Sequence, residues 1–435
     1  MTVVSSRASR PGESLHSATG VSAAIPAPRE AAPAAAMPAL PGDAPRAARA
    51  VLRLLGRLAH GRLLLTLPDG SRLAFVSGEP GVTLRLASWQ PLTAALARGD
   101  VGFAESWIEG QWDCDSLIDV LDLALANRRI LDQAIHGNGL GRLVDRLRHL
   151  LRRNSRAGSR RNIHAHYDLG NAFYRLWLDD TMTYSSALFG GNAALPLARA
   201  QQAKYRRILD QLALPAGARV LEIGCGWGGF AEQAARAGLR LKGLTLSTEQ
   251  LAFARERLAS AGLADIARCE LQDYRDEHER YDGIASIEMF EAVGEAYWPR
   301  YFDTVARALA PGGRAVIQTI VIDDALFERY RRGTDFIQQY VFPGGMLPSP
   351  SAFTEAAARA GLRVIDRFAF GQDYAQTLAR WRETFMAQLD TVRAQGFDRR
   401  FIRTWEFYLA YCEAAFRHRS TDVIQFTLVR EENRP

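Results

Sequence analysis

Closely spaced glycines follow an apolar run and could bind a nucleotide cofactor. The stretch VLEIGCGWGGF, residues 220–230, has the pattern of a buried strand that ends in Gly224, Gly226 and Gly228, with the acid Glu222 just before them. Glycines at the first strand-to-helix turn of a parallel sheet let backbone N–H groups approach a ligand closely. Because the same pattern also fits a tight turn without a ligand, neighbouring strands must identify the cofactor.

The second and third strands favour one cofactor over another. A dinucleotide site needs an acid about 20 residues after the glycines to hold the ribose hydroxyls. Here the second strand ends in LTLSTEQ, which offers hydroxyls and an amide, and QDY follows the third strand. These groups and the preceding acid suit a small zwitterion joined to adenosine. The sequence therefore predicts S-adenosylmethionine, held by Glu222, Gly224, Gly226, Gly228, Thr245, Leu246, Ser247, Gln250, Gln272, Asp273 and Tyr274.

Further motifs, in order along the chain, carry a resemblance to one family. HYDLGNAFY and MTYSSALF precede the glycines, SIEMFEAVG ends the fourth strand, and YVFPGG, FGQDY, LARW and AAFRHR lie downstream. From about Gly99 to about Val429 the chain resembles the cyclopropane-fatty-acyl-phospholipid synthases, which use S-adenosylmethionine to modify double bonds of acyl chains. The resemblance implies an unsaturated phospholipid acyl chain as substrate, adds Tyr184 and Ser185 to the cofactor site, and suggests a homodimer.

The resemblance also implies that the site holds a base, which removes a proton during the reaction. Methyl transfer to an alkene creates a carbocation, and ring closure then requires removal of a proton. In this family a bicarbonate ion, held by a glutamate, a tyrosine, a cysteine and a histidine, removes it. Glu291 and Tyr374 match the first two, whereas Ser186 and Gln318 stand where the cysteine and histidine would be. We expect bicarbonate to bind here if the serine and the glutamine can donate to it.

The two departures leave the product open. We expect a cyclopropane, and a methylene or methyl branch is the alternative; a noncatalytic lipid-binding protein is a more distant one. Aromatic faces could stabilise the cation, and two or three of the following should line the acyl site: Tyr167, Phe173, Tyr174, Trp177, Tyr184, Phe342, Tyr374 and Trp381. Cys412 matches another cysteine proposed for the family's active site, although it also fits the apolar face of a helix.

Alternating strands and helices must position these residues. From residue 162 to residue 435 this alternation predicts a methyltransferase domain, with a doubly wound, mainly parallel α/β sheet of the Rossmann type. Residues 47–135 predict a small α+β domain that contains a hairpin around Pro-Asp-Gly and a long helical stretch. Residues 1–46, rich in Ala and Pro, predict a disordered tail.

Residues 136–161 predict a basic amphipathic linker helix. In RLVDRLRHLLRRNSRAGSRR the apolar residues share one helical face, with arginines around the rest. This pattern fits an anionic membrane surface, or a solvated linker. No aromatic residues interleave the arginines for base stacking, so we expect no nucleic acid partner. With no apolar run long enough to span a bilayer, we expect a cytoplasmic protein at the inner membrane surface.

Cysteine and histidine spacing gives no sign of a metal site. The four cysteines show no pairing or zinc-binding pattern, which indicates a reducing compartment. His164 and His166 resemble a metal pair, but no further ligand type completes a shell around them. We expect no metal.

Overall fold

The computed structural model describes residues 40–135 and 169–430, and its N-terminal part is a small α+β unit. Its elements are α1 (Arg46–Leu55), β1 (Gly61–Thr66), β2 (Arg72–Ser77), β3 (Gly81–Leu86), α2 (Gln90–Arg98), α3 (Asp100–Ile108), β4 (Trp112–Cys114), α4 (Leu117–Ala126) and α5 (Arg128–Ile135). The strands form one sheet in the order β2-β1-β3-β4. β1 and β2 pair antiparallel, which confirms the predicted hairpin.

The long helical stretch predicted within residues 47–135, which covers residues 92–125, contains a short strand instead of one continuous helical run. Gly110, with φ of +74°, lies in the turn after α3, and β4 then pairs antiparallel with β3. Trp112 is fully buried there and its indole N–H donates to Ser106 Oγ at 3.0 Å. Burial of this ring together with strand pairing outweighs the helical spacing of the apolar residues.

The C-terminal part is built on one large sheet. Its elements are α6 (Asn171–Tyr174), α7 (Leu197–Leu212), β5 (Arg219–Ile223), α8 (Gly229–Arg236), β6 (Arg240–Thr245), α9 (Thr248–Ser260), β7 (Ala267–Leu271), β8 (Tyr281–Ile287), α10 (Trp298–Ala308), β9 (Leu309–Ile322), α11 (Asp324–Arg332), α12 (Pro350–Arg359), β10 (Leu362–Ala369), α13 (Gly371–Ala387), α14 (Leu389–Ala394), α15 (Arg399–Arg417) and β11 (Thr421–Arg430). Short 3₁₀ turns at Tyr274–Asp276, Phe290–Ala292 and Glu295–Tyr297, and a π-helical turn at Ile337–Val341, complete it.

The seven strands of this sheet confirm the predicted doubly wound fold. Their order is β10-β11-β9-β8-β5-β6-β7. The five strands from β5 to β9 pair in parallel, whereas β11 runs antiparallel to both β9 and β10. The strand order reverses between β5 and β8, and ligands of such sheets bind at the carboxyl ends of the strands near this point.

Side chains of α3, β4 and α15 join the small unit to the large one. The guanidinium of Arg403 lies over the Trp107 ring, 3.7 Å from its centroid, and donates to the Trp112 carbonyl at 3.0 Å. Asp100 Oδ2 accepts from the Tyr411 hydroxyl at 2.8 Å. The largest hydrophobic core runs through this contact and includes residues of both units. Helix α15 is therefore held by the small unit on one side and by α13 on the other.

Candidate active site

The glycine loop after β5 forms a tight turn at the sheet's switch point. Gly224, Gly226 and Gly228 have φ of +86°, +51° and +79°, a region that side-chain-bearing residues rarely adopt. The N–H groups of Gly224 and Cys225 donate to the Leu244 carbonyl at 3.0 and 2.9 Å, which ties the loop to the end of β6. Helix α8 then begins directly behind the loop.

A cavity lies against this loop at the carboxyl ends of β5, β6, β7 and β8. The predicted cofactor residues that line it are Tyr184, Ser185, Glu222, Gly224, Gly226, Thr245, Leu246, Gln250, Gln272 and Tyr274. Residues from segments that are far apart in the sequence therefore line the same cavity. The cavity also includes Tyr205, Glu288 and Met289, which the sequence analysis did not assign to the cofactor.

Three predicted cofactor residues do not line the cavity and instead support its wall. Gly228 passes so close to α9 that a Cβ there would lie 3.0 Å from the Cβ of Ala254. Ser247 caps α9 by accepting from the Gln250 N–H at 3.2 Å. Asp273 forms a buried ion pair with Arg275 at 2.6 Å. These three residues therefore act indirectly, by supporting the segments that carry the residues of the cavity wall.

Glu222 places a buried carboxylate at the end of β5. It is 2% exposed, and its Oε2 has no hydrogen-bond partner among the described residues. Burial raises the pKa of Glu222 well above its usual value, since a charged group is disfavoured away from water. A cationic ligand group would satisfy this oxygen. The ammonium of S-adenosylmethionine is such a group, so the residues present fit this cofactor.

Glu288 is the second acid of the cavity, and three predicted catalytic residues surround it. Its Oε1 accepts from the backbone N–H of Ser186 at 2.9 Å and from Nε2 of Gln318 at 2.7 Å. Its Oε2 accepts from the Tyr374 hydroxyl at 2.6 Å. Burial raises the pKa of Glu288, whereas attraction to Lys204 and these three donors oppose the rise. The groups predicted to hold an external anion therefore hold a carboxylate of the protein.

The backbone at Glu288 is strained. This residue directly follows β8 and has φ of +50°, which is unusual for a residue with a side chain. Its N–H donates to the Gln318 carbonyl at 2.8 Å, so pairing with β9 fixes it at the end of the strand. Such strain persists where the surroundings enforce it, and it clusters at functional sites.

A chain of side chains orients Gln318 from behind. Its Oε1 accepts from Nε2 of Gln425 at 3.0 Å, and Gln425 in turn accepts from Arg207 at 2.8 Å. Arg207 pairs with Asp366 at 2.7 Å. Because the amide oxygen of Gln318 is engaged in this chain, its NH₂ group points to Glu288. Ser186 contributes differently from the prediction, since its hydroxyl donates to the Ala187 carbonyl at 3.0 Å and only its backbone N–H reaches Glu288.

Glu291 lies next to this pocket but does not bind Tyr374. One carboxylate oxygen accepts from the Ile320 N–H, and Oε2 has no partner among the described residues. Burial, reinforced by the nearby charge of Glu288, raises the pKa of Glu291 to about 8. Glu291 is thus largely neutral at neutral pH.

Lys204 on α7 is a buried cation next to these acids. Its side chain is fully buried, with Nζ 2.5 Å from Ser185 Oγ and 2.7 Å from Gln201 Oε1. Burial lowers the pKa of Lys204 to about 7, while the carboxylates of Glu288 and Glu222 act against this fall. An ammonium group is stable at such a buried position only if nearby negative charges compensate for its loss of hydration.

Aromatic residues form a dense cluster beside the cavity. Trp177, Tyr184 and Trp381 have ring centroids 5.3 to 5.6 Å apart, and the Tyr184 and Tyr408 hydroxyls are 2.6 Å from each other. Of the predicted cation-stabilising aromatics, Tyr184 lines the cavity. The others among the described residues are Phe173, Tyr174, Trp177, Phe342, Tyr374 and Trp381, all buried or partly buried; Tyr167 lies outside the described residues.

Cys412 lies on α15, partly buried against the largest core. Burial raises the pKa of its thiol, which disfavours the nucleophilic thiolate. No hydrogen bond connects it to Glu288 in the described part of the chain. Its position fits the apolar helix face that the sequence also allowed.

The sequence model of the mycolic acid cyclopropane synthetase family matches residues 154–426. The chain belongs to this family. The tuberculostearic acid methyltransferase UfaA1 of Mycobacterium tuberculosis is 40% identical over 390 residues, which cover 87% of this chain and 90% of that protein. The cyclopropane-fatty-acyl-phospholipid synthase of Escherichia coli is 33% identical over 365 residues, which cover 82% and 90%.

Solved structures of the mycolic acid cyclopropane synthetase family share the fold. The cyclopropane synthase MmaA2 from Mycobacterium tuberculosis has a TM-score of 0.58 and 31% identity, covering 62% of this chain and 97% of its own. The mycolic acid cyclopropane synthase CmaA1, solved with SAH and CTAB, gives the same values. This chain is a methyltransferase that uses S-adenosylmethionine. Bicarbonate stays a prediction.

Among the charged residues of the site, the sequence of this cyclopropane synthetase family member did not lead us to Glu288 or Lys204. Glu288 lies three residues before Glu291 at the carboxyl end of a strand, which was a usable signal for a site acid. Lys204 lies in KYRRILDQL, a pattern typical of a solvated helix, and nothing in it indicates burial.

Several predictions fall outside the described residues or concern absences. The basic segment 136–161, His164 and His166 lie in the part of the chain that the structure does not describe. Within residues 40–135 and 169–430, no group of three potential metal ligands comes together. Over the same residues, no helix combines the length and apolar character needed to cross a membrane.

Proposed function

We propose that this protein transfers the methyl group of S-adenosylmethionine to the double bond of an unsaturated phospholipid acyl chain and then closes a cyclopropane ring. The observation that carries the proposal is the shared cavity, which the glycine loop of the cofactor site and the Glu288 pocket both line. A methyl donor on one side and a proton acceptor on the other are the two requirements of this reaction.

The chain's residues have separate tasks in this reaction. Bound S-adenosylmethionine supplies an electrophilic methyl group. Glu222 and the glycine loop hold and orient the cofactor, and the buried aromatic cluster around Trp177 and Trp381 excludes water from a developing cation. Electron-rich ring faces stabilise such a cation by about 0.5 to 2 kcal/mol each when water is excluded. Tyr374 and Gln318 keep the acceptor for the proton in place.

A methylene-branched product is the second candidate, and two observations favour it. The pocket holds Ser186, Gln318 and Glu288 in an arrangement that differs from the predicted bicarbonate set. UfaA1, the relative at 40% identity, is named a tuberculostearic acid methyltransferase and not a cyclopropane synthase. A methylene branch forms if a hydride shifts before the proton leaves, and a methyl branch then requires two further hydrogens from a reductant.

Turnover on defined lipid tests the proposal. The purified protein is incubated with S-adenosylmethionine and vesicles of a phospholipid with monounsaturated chains, and the acyl chains are analysed by mass spectrometry and proton NMR. We expect a gain of one CH₂ unit and upfield cyclopropane protons. Vinylidene protons with the same gain would establish the branched product. No carbon gain on any chain would overturn the methyl-transfer proposal in favour of a noncatalytic lipid-binding protein.

We also propose that the basic segment brings the protein to an anionic membrane surface. Replacement of Arg146, Arg148, Arg152 and Arg153 by Gln should weaken binding to anionic vesicles, and added salt should weaken binding of the unmodified protein. Sedimentation with anionic and neutral vesicles measures both effects. If the unmodified protein and the variant bind anionic vesicles equally and without salt dependence, the segment acts only as a linker.

A further inference from the structure

The most informative feature of the cavity is that the pocket for an external anion already contains an anion. Ser186, Gln318 and Tyr374 direct three hydrogen bonds into one small volume, and the Glu288 carboxylate accepts all three. Its backbone adopts a left-handed conformation that places the side chain there. Strain at a residue with three convergent donors indicates a position that the fold enforces.

We propose that Glu288 is itself the base of the reaction, so that turnover requires no bicarbonate. This inference rests on the proposed methyl transfer and names the residue that completes it. Glu288 lines the cofactor cavity, so its carboxylate lies on the side from which a base would reach the transferred methyl group.

The hydrogen bonds leave one site for a proton. A carboxylate oxygen has two lone-pair positions, and two donors fill those of Oε1, namely Ser186 N–H and Gln318 Nε2. Oε2 accepts one hydrogen bond, from the Tyr374 hydroxyl. Its second lone pair is the remaining acceptor position of Glu288. The pocket therefore fixes which oxygen takes the proton.

The step balances with Glu288 as sole acceptor. A C–H bond of the newly added methyl group breaks, and its electron pair forms the bond to the cationic carbon, which closes the three-membered ring. The proton passes to Oε2, and Glu288 becomes a neutral carboxylic acid. The proton returns to solvent after product release. If a hydride has shifted first, the same proton loss gives a methylene branch instead.

Charges around the pocket keep this acid functional. Lys204 is the buried cation that attracts Glu288, and Glu291 and Tyr374 are the other titratable groups close to it. Glu291 is largely neutral at neutral pH, so Lys204 is the charged group whose attraction most favours the ionised form of Glu288. This attraction helps a carboxylate to persist in a dry site, ready to accept a proton.

Two substitutions and one control test the inference. Glu288→Gln retains the shape but cannot accept the proton, and Glu288→Gly empties the pocket and relieves the left-handed backbone. Glu383→Gln is the matched control, because Glu383 is exposed on the helix that carries Tyr374. Turnover on unsaturated phospholipid vesicles is measured in CO₂-free buffer with and without added bicarbonate, together with S-adenosylhomocysteine released per product. Calorimetry with bicarbonate alone reports anion binding without turnover.

We expect the unmodified protein and Glu383→Gln to be equally active in both buffers and to bind no bicarbonate. Glu288→Gln should lose product formation by about 100-fold or more in either buffer. Glu288→Gly should bind bicarbonate and regain at least about 10-fold activity with it, as expected when an external base replaces a missing one. Released S-adenosylhomocysteine should exceed ring formation in Glu288→Gln, because a methylated cation that forms without its base is quenched by water to an alcohol.

Two results would overturn the inference while leaving methyl transfer intact. These are an unmodified protein that binds bicarbonate and loses turnover without it, and a Glu288→Gln variant with unchanged product formation. An unmodified protein that makes no modified lipid in either buffer would instead refute the proposed reaction itself, and with it the role of Glu288 as its base.

Discussion

Two buried glutamates lie at the ends of neighbouring parallel strands and line the same cavity, yet their surroundings differ. Glu222 lies near the end of β5, and one of its carboxylate oxygens has no hydrogen-bond partner in the described part of the chain. Glu288 follows β8 and has both oxygens engaged by three donors. The two acids differ in how much of their hydrogen-bonding capacity the protein itself uses.

This difference indicates two tasks. An acid with an open oxygen is completed by a ligand, so Glu222 belongs to binding. An acid held by several protein donors is already oriented before any ligand arrives, so Glu288 belongs to chemistry. Experiments can test this assignment of tasks, because cofactor binding (Kd) and turnover (kcat) are measured separately.

The largest expected effect is on turnover at Glu288. Glu288→Gln should lower kcat by about 100-fold to 10,000-fold, the usual range for loss of a general base. The Kd for S-adenosylmethionine should stay within about twofold, since Glu222 and the glycine loop, rather than Glu288, are proposed to hold the cofactor. Steady-state kinetics and calorimetry give the two numbers. A matching loss in Kd would mean that Glu288 also binds the cofactor.

The next effect concerns stability and pH at Glu291. Its pKa is raised by burial to about 8 in the folded protein, so the folded state favours the protonated acid. Folding stability should therefore fall as pH rises from the unfolded pKa, about 4.5, to the folded pKa, about 8, by up to about 5 kcal/mol. Glu291→Gln should remove this loss. Denaturant unfolding of both proteins at about pH 5 and about pH 9 checks it; parallel pH curves would contradict it.

A smaller effect is expected on cofactor affinity at Glu222. Glu222→Gln removes the charge that would pair with an ammonium group, a contribution of about 1.5 to 3 kcal/mol. The Kd for S-adenosylmethionine should rise about 10-fold to 100-fold, with kcat at saturation nearly unchanged. Calorimetry measures the affinity, with Glu383→Gln as control. A loss confined to kcat would reverse the roles of the two glutamates.

The glycine loop should show a weaker effect. Gly224→Ala forces a side chain into a left-handed conformation, which costs about 1 to 2 kcal/mol, and its Cβ would lie 2.8 Å from the side chain of Met289. Gly262→Ala meets the same backbone strain with no atom within 4 Å of its Cβ. Both should lower the free energy of unfolding, but only the first should weaken cofactor binding. Equal affinities would remove Gly224 from the site.

The smallest effect is expected at Ser186. Ser186→Ala retains the backbone N–H that reaches Glu288, so turnover should stay within about twofold. Gln318→Ala removes a side-chain donor and should lower turnover about 10-fold. Side-by-side assays compare them. A large loss in Ser186→Ala would show that the hydroxyl, rather than the main chain, takes part.

Local sequence patterns predicted the cofactor-binding residues well, but they predicted the residues of the Glu288 pocket only in part. The glycine loop, LTLSTEQ and QDY follow successive strands, and parallel pairing brings their ends together by necessity. Glu288 and Lys204 required knowledge of which atoms meet across the sheet. The short strand β4 was missed because its pairing with β3 is decided by burial of Trp112, which spacing along the chain does not encode.

The left-handed backbone at Glu288 has an evolutionary consequence. Glycine fits φ of +50° more easily than glutamate does, so a change to glycine there would leave the strand end in place. In the genetic code the two glutamate codons differ from glycine codons by one nucleotide. If Glu288 is the base, a single point mutation separates an enzyme that carries its own base from one that must draw it from dissolved carbon dioxide.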